Sequence, residues 1–271
     1  MAKNALARAW ARNFERQWVA LARSNMRAGT RAATKALQPT VDRGKAPPGD
    51  GSWTTGIATG AAGARRFRLY RPTGVGFAER LPLLVMLHGC GQDAQGFALC
   101  TRMNRIAARE RFLVLYPEQE RMANAQGCWN WFDTASGRAY GEVALIMKAI
   151  DQVCWLYPVD HARIAIAGLS AGASMAALVV TRHPERFKAI AMHSGIPPGT
   201  AYSRMSALTA MHGYRKTRPL QPTTVIEPHV WPPLLVINGS GDTVVSMDNA
   251  LTEAQVWADP RGAGPRQDRA A

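Results

Sequence analysis

Cysteine is scarce in this chain of 271 residues: Cys90, Cys100, Cys128 and Cys154 are its only four, and no two of them stand in a C-x-x-C spacing. That excludes a disulfide-dense scaffold and argues against a zinc site, while leaving one or two disulfides open. Long apolar runs are lacking too, and nothing approaches the ~18–20 residues that span a bilayer. Acidic residues are outnumbered, 19 against 33 Lys and Arg, for a formal charge of +14. Internal repeats are missing. What remains is a chain that is 47% hydrophobic and 8% aromatic, enough to build a packed core and to exclude wholesale disorder.

Half of the positive charge sits in the first fifth. Residues 1–50 carry ten basic side chains against Glu15, Asp42 and Asp50, a net of +7. Leu6, Trp10, Phe14 and Trp18 recur every four residues, with arginines largely elsewhere on the wheel. Residues 3–27 therefore read as a basic amphipathic helix within an arm of residues 1–37, suited to an anionic or hydrophobic surface or to packing on its own domain. Arginines interrupt every stretch that could serve as the apolar core of a secretory signal. The arm has no nucleic-acid reading motif, so no nucleic-acid partner is expected. Residues 38–51 have the Pro/Gly composition of a linker, and the folded domain is expected over 52–258, followed by an irregular tail at 259–271.

Past the linker, short apolar runs alternate with helical periodicities. Phe67–Tyr70 alternates at period two, as a half-buried antiparallel strand does. The runs at 83–87, 112–116, 164–167, 189–192 and 234–237 suit parallel strands buried on both faces. Helical periods fall at 96–110, 141–156, 171–182 and 247–258. This is the pattern of an α/β fold with a doubly wound, mostly parallel sheet, whose chemistry gathers at the carboxyl ends of its strands. Residues 195–231 read as an irregular excursion.

Three segments carry chemistry. Gly168-Leu169-Ser170-Ala171-Gly172 matches G-x-S-x-G between a strand and a helix, where the flanking glycines make room for a strained turn that exposes the serine. His88-Gly89-Cys90-Gly91-Gln92 follows the strand 83–87 directly, in the place of a loop that donates an oxyanion-hole N–H. The expected donors are the amides of Cys90 and Ala171, with His88 shaping the loop and Cys90 chosen for size and backbone position rather than thiol chemistry. Asp242 lies in the turn Asn238–Val245 after the strand 234–237, placed to orient and charge-stabilise an imidazole.

Together HGCGQ, FLVLYPEQ (Phe112–Gln119), CWNWFD (Cys128–Asp133), GLSAGASM (Gly168–Met175) and MHSGIPPG (Met192–Gly199) resemble the poly(3-hydroxybutyrate) depolymerase-type esterases, relatives of feruloyl and acetylxylan esterases. The resemblance runs from about Trp53 to Trp257. It implies an α/β-hydrolase fold, the serine nucleophile Ser170, the acid Asp242, no metal or organic cofactor, and hydrolysis of a carboxylic ester such as a polyhydroxyalkanoate or a plant-wall ester. It also implies an extracellular location, against which the charged leader leaves the cytoplasm open. Trp129, Trp131 and Phe132 could line an apolar ester pocket or pin their loop as core.

The family pattern calls for a histidine after the acid. Here the six histidines, at 88, 161, 183, 193, 212 and 229, all precede Asp242. Beyond Trp257 no apolar period marks a further strand. The expectation is a hydrolase domain without its last strand and helix, truncated or diverted by a frameshift, and a weak or inactive esterase. His193, at the carboxyl end of the strand after the nucleophile helix, is the candidate substitute base. The competing expectations are a non-catalytic protein that docks on a polymer granule or membrane through its basic arm, and a peptidase of the same fold.

Overall fold

The computed structural model describes residues 46–76, 78–213 and 231–258. The expected amphipathic helix 3–27, the arm 1–37 with its expected surface partner, and the tail 259–271 lie outside the described residues. Seven strands form one sheet: β1 (Gly51–Gly60), β2 (Gly63–Pro72), β3 (Leu81–Leu87), β4 (Leu113–Pro117), β5 (Val159–Leu169), β6 (Ala189–His193) and β7 (Leu234–Ile237). Their spatial order is β1-β2-β4-β3-β5-β6-β7. β2 runs antiparallel to β1 and β4, and every pairing from β4 through β7 is parallel. The direction of winding reverses at β3, which pairs with β4 on one side and β5 on the other. The carboxyl ends of β3 and β5 thus form the topological switch point, where doubly wound sheets place their ligands.

Helices cover both faces. α1 (Ala94–Thr101) and α2 (Met103–Glu110) lie over one face, where Phe97, Ala98 and Ala107 pack with Tyr70, Met86, Val114 and Tyr116. α3 (Arg138–Leu156) and α4 (Ala171–Arg182) lie over the other, where Val143, Ile146, Ile150 and Leu178 join Leu83, Val85, Leu113 and Ile166. α4 begins AGASMAA, and these small residues let the helix sit close against the sheet with almost its whole length buried. α5 (Arg204–Met211) and α6 (Met247–Ala258) complete the described elements.

Two expectations need correction. β1 itself starts at Gly51, next to the Ser52 boundary, and Asp50 O accepts the Tyr70 hydroxyl at 2.7 Å and Thr73 N–H at 3.1 Å. β1 was hidden by its glycines, and Gly56 is required because a Cβ there would overlap the Phe67 ring. The helical stretch 96–110 is two helices, since Arg102 takes a left-handed φ of 53° and turns the chain between α1 and α2. The excursion at 195–231 contains α5, capped by reciprocal Ser203 and Ser206 hydrogen bonds.

Candidate active site

Ser170 stands between the last residue of β5 and the first of α4, with φ 54° and ψ −122°. A non-glycine residue held at positive φ is strained, and such strain clusters at functional sites. Its surroundings force the conformation. A Cβ at Gly168 would overlap Gly172 O, and a Cβ at Gly172 would overlap Leu87 O and His88 O. The Ser170 N–H donates to His193 O at 2.8 Å, and Ser170 O accepts Ala173 N–H at 2.9 Å as the helix starts. β5 extends to Leu169 and α4 begins at Ala171, so the turn is sharper than the strand end at Ala167 suggested.

The loop after β3 lies against this elbow. A Cβ at Gly89 would stand 3.5 Å from Leu169 O, within ordinary contact of the residue preceding Ser170. Among the described residues neither the Cys90 nor the Ala171 amide has an acceptor. Cys90 also does what its sequence context did not disclose: it forms a disulfide with Cys128, 38 residues on, with Cα atoms 4.3 Å apart. Its role is covalent as well as positional. Cys100 and Cys154 are free thiols.

His88 is fully buried, and burial lowers its pKa, which keeps the imidazole neutral. Its Nε2 accepts the Gln119 N–H at 3.0 Å, so the proton is assigned to Nδ1, which donates to Gly89 O at 2.9 Å. His88 is a strut, as its place in the loop suggested.

Trp129, Trp131 and Phe132 belong to the core rather than to an open pocket wall. Trp129 has no exposed surface and donates its indole N–H to His88 O at 3.0 Å; Trp131 and Phe132 meet edge to face at 5.7 Å. Large flat side chains with a single polar handle fill a core well when that handle finds an acceptor.

Asp242 lies in the turn after β7, the strand paired with β6. Its Oδ1 accepts the N–H groups of Val244 (2.9 Å) and Val245 (3.0 Å), and its Oδ2 accepts the Ser194 hydroxyl at 2.9 Å. Partial burial pulls its pKa up, but these hydrogen bonds and the nearby His193 imidazole outweigh it and hold the carboxyl below its ordinary value. Ser194, which sequence reasoning passed over, is itself at φ 50° and donates its N–H to Ile237 O at 2.8 Å. His193 is exposed at the end of β6, paired in register with Leu169 and Ile237. Among the described residues no group of three or more His, Cys, Asp or Glu could hold a metal ion, and no helix is long and apolar enough to cross a membrane.

Residues 65–257 match the family described as Esterase PHB depolymerase. The chain belongs to that family. Over 145 residues it is 31% identical to poly(3-hydroxyalkanoate) depolymerase C of Paucimonas lemoignei, covering 53% of this chain but only 35% of that protein. It is 26% identical to feruloyl esterase B of Neurospora crassa over 216 residues, covering 72% of this chain and 70% of the relative. Among solved structures, the acetyl xylan esterase from Aspergillus awamori superposes with a TM-score of 0.58 at 19% identity, covering 77% of this chain and 80% of that one. The fold is that of the α/β-hydrolases, and the family is one of carboxylic ester hydrolases of depolymerase, feruloyl and acetylxylan esterase type.

Proposed function

We propose that this domain hydrolyses carboxylic esters through Ser170, with the Cys90 and Ala171 amides stabilising the oxyanion and Asp242 serving as the acid that charge-stabilises an imidazole. The observation that carries this reading is the strained Ser170 elbow at the switch point, beside two amides without acceptors. Ser170 Oγ attacks the ester carbonyl carbon, its proton leaves to a base, and the carbonyl oxygen becomes the oxyanion. Collapse expels the alcohol, which takes up a proton, and water then cleaves the acyl-serine. A polyhydroxyalkanoate or a plant-wall ester is the substrate class that the relatives' names suggest.

The weak point is the base. No histidine follows Asp242 within the 271 residues. Without an imidazole to take its proton, Ser170 stays at its high intrinsic pKa, and the oxyanion hole and substrate binding supply only residual rate. For these 271 residues taken alone, the reading is a slow esterase, about 10⁴-fold or more below a complete triad.

Hydrolysis of p-nitrophenyl butyrate by the chain and its Ser170→Ala and His193→Ala variants tests this. A low rate removed by Ser170→Ala and untouched by His193→Ala is expected. A robust rate lost in both variants would make His193 the base, and a rate indifferent to Ser170→Ala would remove the serine from the mechanism.

A further inference from the structure

The largest buried polar cluster in the described residues has no part in the chemistry above. Arg65, Gln119, Asn124, Asn130 and Glu142 are all at least nine-tenths buried, as is His88 beside them. Glu142, on α3, accepts Gln119 Nε2–H at 2.6 Å and Asn130 Nδ2–H at 2.7 Å on Oε1, and Asn130 N–H at 2.9 Å on Oε2. Arg65 lies 3.9 Å from the same Oε1 and donates to Gln119 Oε1. Burying such an ion pair is a poor route to stability, because the desolvation of both charges offsets most of their attraction. The cluster is not even fully satisfied, since among the described residues Arg65 Nε–H has no acceptor. Something other than stability must be read from where its bonds lead.

They lead to one loop. Gln119 Nε2 also donates to Cys128 O at 3.0 Å, and Cys128 is bonded through its sulfur to Cys90. Gln119 N–H donates to His88 Nε2, Trp129 Nε1–H to His88 O, and Gly91 N–H to Gln126 O at 2.9 Å. The loop after β3 thus hangs from residues 119–129, and those residues are fixed on Glu142. Among the described residues the Cys90 N–H, at the centre of these anchors, is left without an acceptor.

We propose that Gln119, held by the buried Glu142 carboxylate, is a positioning residue that fixes the Cys90 amide relative to Ser170, an inference that rests on the nucleophile and oxyanion reading above. Gln119 touches no reacting atom. It acts because a hydrogen-bond donor aimed at a developing oxyanion loses its effect when displaced by a fraction of an ångström.

The test is covalent labelling of Ser170 by an alkyl p-nitrophenyl phosphonate, followed by intact mass. The Oγ–P bond forms, the P–O bond to the aryl group breaks, p-nitrophenolate departs, the serine proton passes to solvent, and the phosphoryl oxygen occupies the oxyanion position. Two variants are compared with the parent. Gln119→Met keeps the backbone N–H to His88 and removes the side-chain bonds. The double change Arg65→Met and Glu142→Met removes both buried charges together, so that neither is left unpaired. Loss of one oxyanion donor typically costs about 10²–10³ in rate, so a displaced one should lower the saturating labelling rate about tenfold. The half-saturating concentration should stay within about twofold and the double variant should melt within a few degrees of the parent, a split that a merely structural role does not give. An unchanged saturating rate in folded variants, or a loss that follows half-saturation alone, overturns the proposal. Should the parent label no faster than Ser170→Ala, the nucleophile reading fails and takes this inference with it. Labelling that depends on Ser170 in the parent but is unchanged in both variants sinks this inference alone.

Discussion

The two flanks of Ser170 are built differently. On the β3 side a disulfide, a neutral buried histidine and a buried ion pair converge on one five-residue loop. On the β7 side Asp242 hangs from an edge strand of four residues, held by two backbone amides and the Ser194 hydroxyl. Leu235 and Ile237 of that strand are 58% and 45% exposed. They share a face with Ala191 and His193 of β6 through the parallel register, and that face is open at β7. Beneath it, on α6, Glu253 is buried, and among the described residues neither of its carboxylate oxygens has a hydrogen-bond partner. The contrast is between a flank with more restraints than its fold requires and a flank with fewer. On the proposed reading, donors that must already stand in place belong on the first, and a carboxylate that only has to stay ionised tolerates the second.

Removing restraints should therefore cost much on one flank and little, or nothing, on the other. The largest effect is expected from the paired change Cys90→Ala and Cys128→Ala, which opens a loop spanning 38 residues. Loop-closure entropy puts the loss at about 3–4 kcal/mol, measured as unfolding free energy in urea under oxidising conditions. On the opposite flank Glu253→Met should stabilise. Burial raises the Glu253 pKa from 4.5 to about 8, so the folded state holds a proton that the unfolded state releases. Stability is then lost as pH rises between those two values, and the methionine removes the loss. A gain of about 1–3 kcal/mol at pH 8, shrinking toward pH 5, is the expected outcome in paired thermal melts. A gain independent of pH would mean the carboxyl has a partner. Smallest of all, Leu235→Lys should change stability by less than about 0.5 kcal/mol, since that side chain has little contact to lose. A larger loss would show that the β7 face is covered in solution.

How much of this was legible in the sequence follows from the range of the interactions involved. Ser170 could be read because its motif is local, two glycines two residues away on either side; Gly168 meets the backbone of Gly172 and Ala173, although Gly172 meets Leu87 O and His88 O of a distant strand and loop. The Asp242 turn was legible for the same reason, its bonds to Val244 and Val245 spanning three residues at most. The buried cluster was not. Arg65, Gln119 and Glu142 come from β2, a loop and α3, and nothing near any of them marks it as internal. The disulfide joins two loops whose approach only the sheet order determines. Trp129 sits in a loop whose aromatic content suited a pocket as well as a core, and the position of His88 O, which accepts its indole N–H, lies far off in sequence. The break at Arg102 depends on a left-handed backbone at a residue type that gives no hint of it.

The central proposal is that Ser170 acts as nucleophile with the Cys90 and Ala171 amides as oxyanion donors and that these 271 residues supply no imidazole base, and supplying an imidazole tests it most directly. Hydrolysis of p-nitrophenyl butyrate is followed with increasing free imidazole, with the Ser170→Ala protein subtracting the rate of imidazole alone. The account predicts a low Ser170-dependent rate that rises several-fold with imidazole, a diffusing base doing poorly what a positioned one does well. A fast Ser170-dependent rate that imidazole leaves unchanged would contradict it, because the chain would then already contain its base.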